Sequence, residues 1–261
     1  MRPIGFFDSG VGGISVLRQA VRTLPGEDYL YFGDNRNAPY GVRPNEEIRA
    51  LTLRCVKRMA AQPLKALIVA CNTATAAAVE SLRSQFSFPV IGMEPAIKPA
   101  LQATAGQVLV LATPATLRME KFQMLRHRLD DRQRIISLPC PELVPLVERM
   151  ELDTQALHGL LQQKLAPYRE RAGAVVLGCT HFVFLRSAIA KALPGIPILD
   201  GNEGTIRRLA QCLEGRLENR SRGNIFLHTT GDANHYIPIM ESLLSLPDET
   251  AACETASITT P

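Results

Sequence analysis

Short apolar runs alternate with helical patterns along most of the 261-residue chain. The runs Ile4-Gly5-Phe6-Phe7, Ala66-Leu67-Ile68-Val69 and Ala174-Val175-Val176-Leu177 contain no polar side chain, which is typical of parallel strands buried on both faces. Strands that alternate with helices form parallel sheets covered by those helices. The pattern therefore predicts an α/β fold built on parallel sheets.

Two of these runs lead into a cysteine, and the spacing beyond each cysteine is the same. Cys71 lies 18 residues before Pro89, and Cys179 lies 18 residues before Pro197. Each proline opens a further apolar run. The spacing favours an internal duplication, although β-α units recur at similar intervals in any α/β protein.

The order of the segments predicts two units. We expect strands at 4–7, 29–32, 66–70, 89–92, 107–111, 134–138, 174–178, 196–199 and 224–227. We expect helices at 13–24, 46–60, 74–85, 116–127, 141–150, 153–171, 182–192, 203–216 and 233–245, with a loop over 34–44. The helix breakers Pro95 and Pro99 and the loop around Gly201 are the expected crossover points. The last strand and helix are expected to return to the first unit, so the predicted domains are 1–95 plus 208–261 and 96–207.

Composition and charge argue against nucleic-acid binding, secretion and insertion into a membrane. The 29 basic and 25 acidic residues give a net charge of +4 that is spread without long runs, so we do not expect a nucleic-acid partner. The first strand begins by Ile4, which leaves no room for a signal peptide. No apolar stretch approaches the roughly 18 residues that a membrane span needs. We therefore expect a cytoplasmic protein that does not contact a membrane.

The six cysteines predict free thiols rather than a disulfide framework, because a reducing compartment keeps them reduced. No CxxC pair occurs, so we expect no structural zinc site. Cys55 and Cys212 lie in helical patterns and are expected to be small core residues. Cys253 lies in a Thr-, Ala- and Ser-rich tail, residues 247–261, that we expect to be disordered.

Cys71 and Cys179 are the candidates for chemistry, because side chains just past the carboxyl ends of parallel strands line the ligand crevice of an α/β protein. Two thiols in this position suggest two acid/base groups that face one small substrate. A free thiol has a pKa of about 8.5, and forming the thiolate near pH 7 needs roughly 2 kcal/mol of stabilisation. His181 could supply part of it beside Cys179, although a lone histidine is more often structural.

The first strand is followed by the turn Asp8-Ser9-Gly10-Val11-Gly12-Gly13. Its spacing matches neither a dinucleotide fingerprint nor a P-loop, and an acidic residue would repel phosphate. The turn favours a carboxylate at the crevice, with glycines that let a small anionic or zwitterionic ligand approach the backbone. The alternative is that Asp8 caps the following helix. In the loop from Asp34 to Gly41, Tyr40 and Gly41 could close over a ligand.

Taken together, five motifs resemble the glutamate racemase family. They are Asp8-Ser9-Gly10-Val11-Gly12-Gly13, Pro39-Tyr40-Gly41, Cys71-Asn72-Thr73-Ala74, Pro145-Leu146-Val147-Glu148 and Gly178-Cys179-Thr180-His181. The resemblance implies an isomerase that interconverts L- and D-glutamate without a cofactor or metal and supplies D-glutamate for peptidoglycan. It also implies two similar parallel-sheet α/β domains related by pseudo-two-fold symmetry, with the active site between them, and we expect a homodimer.

The same resemblance assigns roles to individual residues. Cys71 and Cys179 would be the acid/base groups on opposite faces of the substrate α-carbon. Asp8 would assist Cys71, while Glu148 and His181 would assist Cys179, although Glu148 by itself predicts a solvated helix residue. The implied substrate contacts are Asp8, Ser9, Pro39, Tyr40, Gly41, Asn72, Thr73, Thr116, Thr180 and His181. The chain departs from the family pattern at Ala112, at Met119 and in the loop Asn35-Arg36-Asn37-Ala38.

Other functions remain open at this point. One alternative is a racemase of aspartate or another amino acid, and another is a catalytically idle binding protein, such as an inhibitor of a DNA enzyme. Some members of the family carry an N-terminal extension and depend on a UDP-muramyl precursor. Because Asp8 lies seven residues after Met1, we expect this chain to be active without that activator.

Overall fold

The computed structural model describes residues 2–129 and 133–247, so the predicted tail and Cys253 lie outside the described residues. The strands of the described part are β1 (Ile4–Asp8), β2 (Tyr29–Gly33), β3 (Ala66–Val69), β4 (Val90–Gly92), β5 (Gln107–Ala112), β6 (Ile135–Pro139), β7 (Ala172–Leu177), β8 (Ile198–Asp200) and β9 (Ile225–Thr229). Its α-helices are α1 (Ile14–Thr23), α2 (Asn45–Met59), α3 (Asn72–Gln85), α4 (Ile97–Ala103), α5 (Pro114–Arg118), α6 (Glu120–Leu129), α7 (Leu143–Glu148), α8 (Gln155–Leu165), α9 (Arg186–Ala192), α10 (Asn202–Cys212) and α11 (Ala233–Ser245).

The strands form two parallel sheets with a common order. The first sheet runs β4-β3-β1-β2-β9 and the second runs β6-β5-β7-β8. Read from its other edge, the second sheet is β8-β7-β5-β6, which repeats the order of the first four strands of the first sheet. The predicted class, two similar parallel-sheet α/β domains, is therefore confirmed.

The inner strands are apolar because helices cover both of their faces. Every residue of β1 and β3 is buried, and so are the last four residues of β7. Strand β9 differs, since it lies at the edge of the first sheet and alternates between partly buried and exposed residues. No helix among the described residues is long and apolar enough to cross a membrane.

Several helices differ from their predicted extent. The helix predicted over 116–127 is two helices, because Met119 adopts an extended conformation between α5 and α6. The segment predicted over 182–192 begins with the 3-10 helix Thr180–Leu185, and α9 follows it. Pro99 was predicted to break a helix, and this prediction is wrong. The residue lies in the first turn of α4, where a backbone N–H would have had no helical partner, so proline is tolerated there.

The chain passes from the first sheet to the second between β4 and β5, and it returns after β8. Helix α10 packs against α1 and β4, and β9 pairs with β2. The predicted boundary at residue 207 lies within α10, and the domain limits 1–95 plus 208–261 and 96–207 remain our proposal.

Cys55 is buried in α2, while Cys212 is only partly buried at the end of α10.

Candidate active site

The candidate site lies where the carboxyl ends of β1, β3 and β7 meet. Asp8 ends β1, Cys71 follows β3 and Cys179 follows β7, and all three side chains are buried. The Thr180 hydroxyl donates to Asp8 Oδ2 at 3.0 Å and so joins the end of the second sheet to the end of the first. The two cysteines thus belong to one buried polar cluster that both sheets form.

Cys71 occupies a buried position at the N-terminus of α3. Its Sγ accepts the backbone N–H of Ala74 at 3.4 Å and lies 3.4 Å from Ser9 Oγ. Burial raises the pKa of the Cys71 thiol to about 12, and the charge of Asp8 adds to this effect, while the bonds from Ser9 and Ala74 partly oppose it. Cys71 is therefore a neutral thiol near pH 7.

Cys179 lies beside an imidazole that is paired with a carboxylate. His181 Nδ1 lies 3.7 Å from Cys179 Sγ, and His181 Nε2 lies 2.7 Å from Glu148 Oε1. Burial alone would lower the pKa of His181, but the bonds and charges of Cys179 and Glu148 outweigh it and hold this pKa well above its ordinary value. An imidazolium in this position stabilises negative charge on the neighbouring sulfur.

Glu148 is the negative partner of that imidazolium. Burial favours its neutral form, but hydrogen bonding and charge from His181, with the N–H of Val11, lower the pKa of Glu148. The Val11 N–H donates to Oε1 at 2.9 Å, and Asn35 Nδ2 donates to Oε2 at 3.2 Å. The interpretation of Glu148 as a solvated helix residue is therefore wrong, because its side chain is 15% exposed and bonded on both oxygens. Only the motif around it pointed to the site.

The glycines after β1 make room for this pair. A Cβ at Gly10 would overlap Glu148 Oε1, and a Cβ at Gly12 would overlap His181 Nδ1 and lie 2.5 Å from Thr180 Oγ1. The carboxylate that approaches this backbone is thus the chain's own Glu148.

Asp8 supports the turn and does not cap a helix. Its Oδ1 accepts the N–H of Gly10 at 2.8 Å, while α1 begins only at Ile14 after Gly13. Burial raises the pKa of Asp8, against the opposing charge of His181 and the hydrogen bonds from Gly10 and Thr180. The helix-cap alternative for Asp8 is therefore wrong.

A second cluster of hydroxyl groups also joins the two domains. Thr73 Oγ1 lies 3.0 Å from Thr113 Oγ1 and 2.9 Å from Thr116 Oγ1, and Thr113 donates to Thr116 at 3.0 Å. Thr73 lies in the first turn of α3, while Thr113 and Thr116 lie at the start of α5. The cluster brings the predicted contacts Thr73 and Thr116 together and adds Thr113, which the motif reading did not include.

Asn72 offers a polar group that the described residues leave without a partner. Its side chain is buried, and neither Nδ2 nor Oδ1 has a hydrogen-bond partner among residues 2–129 and 133–247. Buried amides are normally hydrogen-bonded. Asn72 therefore has the capacity to bind a polar ligand at the N-terminus of α3, directly after Cys71.

The loop after β2 packs against the start of α5. Tyr40 donates from its hydroxyl to Asp34 Oδ2 at 2.6 Å, and a Cβ at Gly41 would lie 2.7 Å from the Thr113 Cβ. Pro39 precedes them and is partly buried. The Tyr40 hydroxyl is thus engaged by Asp34, a buried carboxylate that sequence reasoning placed only in a turn.

Among the predicted residues, side-chain hydrogen bonds form four groups. They are Ser9 with Cys71, Asp8 with Thr180, Cys179 with His181 and Glu148, and Thr73 with Thr116. Among the described residues, no group of three or more His, Cys, Asp or Glu side chains is arranged to hold a metal ion. The thiols of Cys71 and Cys179, each with polar neighbours, can serve as two proton-transfer groups.

Two buried thiols contributed by two similar α/β domains, each with polar neighbours, are the arrangement that a two-base proton-transfer enzyme requires. The Asp/Glu/Hydantoin racemase family model matches residues 4–209. The glutamate racemase of Bifidobacterium animalis subsp. lactis is 45% identical over 254 residues, covering 93% of this chain and 97% of that protein. The chain therefore belongs to the Asp/Glu/hydantoin racemase family, among the glutamate racemases.

Solved structures of this family have the same architecture. Glutamate racemase isoform RacE1 from Bacillus anthracis superposes with a TM-score of 0.85 at 34% identity, covering 94% of each chain. The Escherichia coli glutamate racemase, solved with L-glutamate and the activator UDP-MurNAc-Ala, superposes with a TM-score of 0.82 at 33% identity, covering 93% of this chain and 96% of that one. Both results extend the likeness over both domains.

Proposed function

We propose that this protein interconverts L- and D-glutamate by a cofactor-independent two-base mechanism and supplies D-glutamate for peptidoglycan synthesis. The observation that carries the proposal is the pair of buried cysteines at equivalent strand ends, one beside a hydroxyl group and one beside an imidazolium. Inverting an α-carbon requires removal of a proton from one face and delivery of a proton to the other. Two thiols that exchange the roles of acid and base are sufficient for this chemistry.

The two thiols take opposite roles in each direction of the reaction. With L-glutamate, Cys179, beside the His181 imidazolium, is the base that takes the α-proton, and the neutral thiol of Cys71 delivers a proton to the opposite face. The product is D-glutamate, with Cys71 left as thiolate and Cys179 as thiol. For D-glutamate the same steps run in reverse, and Asp8 assists Cys71.

The substrate's own charges need polar partners in this pocket. We assign the carboxylates and the ammonium of glutamate to the predicted contact residues, among which Asn72 has unused hydrogen-bonding capacity. Hydrogen bonds from a preorganised, water-excluded pocket stabilise the carbanionic transition state. We further propose a homodimer, and we propose the cytoplasm, where reducing conditions keep Cys71 and Cys179 as thiols.

Deuterium incorporation at the α-carbon tests the proposal. In deuterium oxide, the purified protein should label the α-carbon of either enantiomer of glutamate and leave aspartate unlabelled. Labelling of aspartate instead would favour the alternative racemase, and labelling of neither amino acid would favour a catalytically idle binding protein. No pyridoxal phosphate, metal or nucleotide is added.

Two cysteine variants test the mechanism within that assay. C71A and C179A should each abolish inversion with an unchanged circular dichroism spectrum, because each face of the substrate loses its only base. C212A is the matched control, since this thiol lies at the end of α10, outside the cluster, and its loss should leave turnover unchanged. Near-normal turnover in C71A or C179A would refute the two-base mechanism.

A further inference from the structure

We infer that Asn35 is a positioning residue for one half of the proposed reaction: it holds Glu148 against His181 and so strengthens Cys179 as the base. This inference rests on the proposed two-base function. Asn35 is buried in the loop after β2. Its side chain reaches across from the first domain to the end of α7.

The contacts fix the orientation of the Asn35 amide. Thr229, the last residue of β9, donates from its hydroxyl to Asn35 Oδ1 at 2.8 Å. The Thr229 hydroxyl in turn accepts the N–H of Gly231 at 3.0 Å. With its oxygen held by Thr229, the amide presents Nδ2 to Glu148 Oε2 at 3.2 Å. A chain of directed bonds thus runs from β9 through Asn35 to Glu148.

The two carboxylate oxygens of Glu148 have different hydrogen-bond partners. Oε1 receives the Val11 N–H and the His181 ring, while Oε2 receives Asn35. Hydrogen bonds to a carboxylate are stronger than neutral ones because one partner is charged. Without the Asn35 bond, Glu148 can rotate and its negative charge is less well stabilised. The ring of His181 is then less firmly held beside Cys179.

The Cys71 side has a different set of partners. Its sulfur contacts Ser9 and the Ala74 N–H, and its helper Asp8 is bonded by Gly10 and Thr180. None of these bonds involves Asn35. A loss of Asn35 should therefore weaken the half-reaction that begins at L-glutamate and leave the other half nearly intact.

Isotope effects can detect a loss that slows only one of the two half-reactions. The two enantiomers are equally stable in water, so kcat/KM must stay equal in the two directions for every variant. The primary deuterium effect on kcat/KM for each α-deuterated enantiomer reports how strongly abstraction from that enantiomer limits turnover. Slower proton transfer at Cys179 raises the deuterium isotope effect on kcat/KM for L-glutamate and lowers it for D-glutamate.

The experiment compares N35A with R36A. Arg36 lies in the same 3-10 turn with an exposed side chain, so R36A controls for a disturbed loop. N35A should lower kcat/KM about tenfold in both directions, as expected for one bond to a charged group, and should shift the two isotope effects in opposite directions. T229V, which keeps the Asn35 amide but releases its oxygen, should give a smaller shift of the same sign.

The possible outcomes separate the two claims. If N35A lowers the rate but moves both isotope effects together, or leaves rate and isotope effects as in R36A, Asn35 has no positioning role. If N35A does not fold, T229V decides by the same criterion. If the wild-type protein itself fails to exchange the α-proton of glutamate, the proposed function is overturned, and this assignment with it.

Discussion

Cys71 and Cys179 occupy equivalent positions in two sheets of the same strand order, yet their surroundings differ in kind. Cys71 contacts a hydroxyl group and a backbone N–H, with the carboxyl group of Asp8 nearby. Cys179 lies beside an imidazolium whose charge is balanced by Glu148. Identical residue types at equivalent strand ends thus have different polar and charged neighbours.

The difference indicates how a duplicated scaffold can carry an asymmetric reaction. The strand ends place one thiol from each half, and this part of the arrangement repeats. The helpers on the Cys179 side have no equivalent on the Cys71 side: Glu148 ends α7, and His181 lies in the 3-10 helix after β7, whereas β3 is followed by the α-helix α3. Each helper can therefore be changed without touching the other thiol.

Substitution of His181 or Asp8, the residues proposed to assist Cys179 and Cys71, should give the largest difference between the two half-reactions. H181N and D8N should each lower kcat/KM by about 10²–10⁴, the range for loss of general acid/base assistance. H181N should raise the deuterium effect for L-glutamate, because His181 lies beside Cys179, and D8N should raise it for D-glutamate. Steady-state rates with both α-deuterated enantiomers measure this. E148Q should follow H181N in sign, and equal changes for both enantiomers would refute the assignment of sides.

A larger side chain at Gly12, where the turn after β1 meets His181 and Thr180, should have the next largest effect. In G12A the new methyl group would overlap His181 and Thr180, so we expect a loss of about 1–3 kcal/mol in the free energy of unfolding and a fall in racemisation. Denaturant titration and initial rates measure the two effects. G159A is the matched control, because a Cβ there meets nothing within 4 Å in α8. It should be neutral or stabilising by about 0.5–1 kcal/mol, and an unaffected G12A would disprove the close approach.

The ion pair on the Cys179 side should make stability depend on pH. Because the pKa of His181 is raised on folding, its contribution is fully present below its ordinary value of 6.5 and is lost as pH rises through the folded value. The lowered pKa of Glu148 contributes above its ordinary value of 4.5 and is lost as pH falls through the folded value. The stability difference between wild type and H181N should therefore be largest between these two ordinary values.

Urea titrations of both proteins at several pH values check this prediction. The difference should shrink toward alkaline pH, where the wild-type imidazolium loses its proton. A difference that stays constant from acidic to alkaline pH would mean that His181 contributes by packing alone, and the electrostatic contrast between the two cysteines would then need another source.

The smallest expected effect is that of removing metal ions and small molecules. Exhaustive dialysis against a chelator should leave kcat/KM for glutamate unchanged, because the proposed chemistry uses only protein groups. The rate before and after dialysis measures this directly. Loss of activity that returns with an added metal would contradict the proposal for both cysteines at once.

Much of the scaffold follows from local sequence. Buried parallel strands need unbroken apolar runs, so β1, β3 and β7 could be predicted from residues that are adjacent in the chain. The ends of those runs then place Cys71 and Cys179 at the crevice. Helix limits were less predictable: Met119 divides α5 from α6 although it fits the helical pattern. The motifs also indicated the family, since each is a contiguous stretch.

The partners across the two domains were decided by the tertiary structure. Glu148 lies 137 residues from Val11 and 113 from Asn35, and its helical pattern is that of a solvated residue. Gly12 is required by a side chain from the other domain rather than by its own turn. Hydrophobic periodicity records only which face of an element is buried. Which carboxylate meets which imidazole depends on how the two sheets pack, and that arrangement gives the two cysteines their different neighbours.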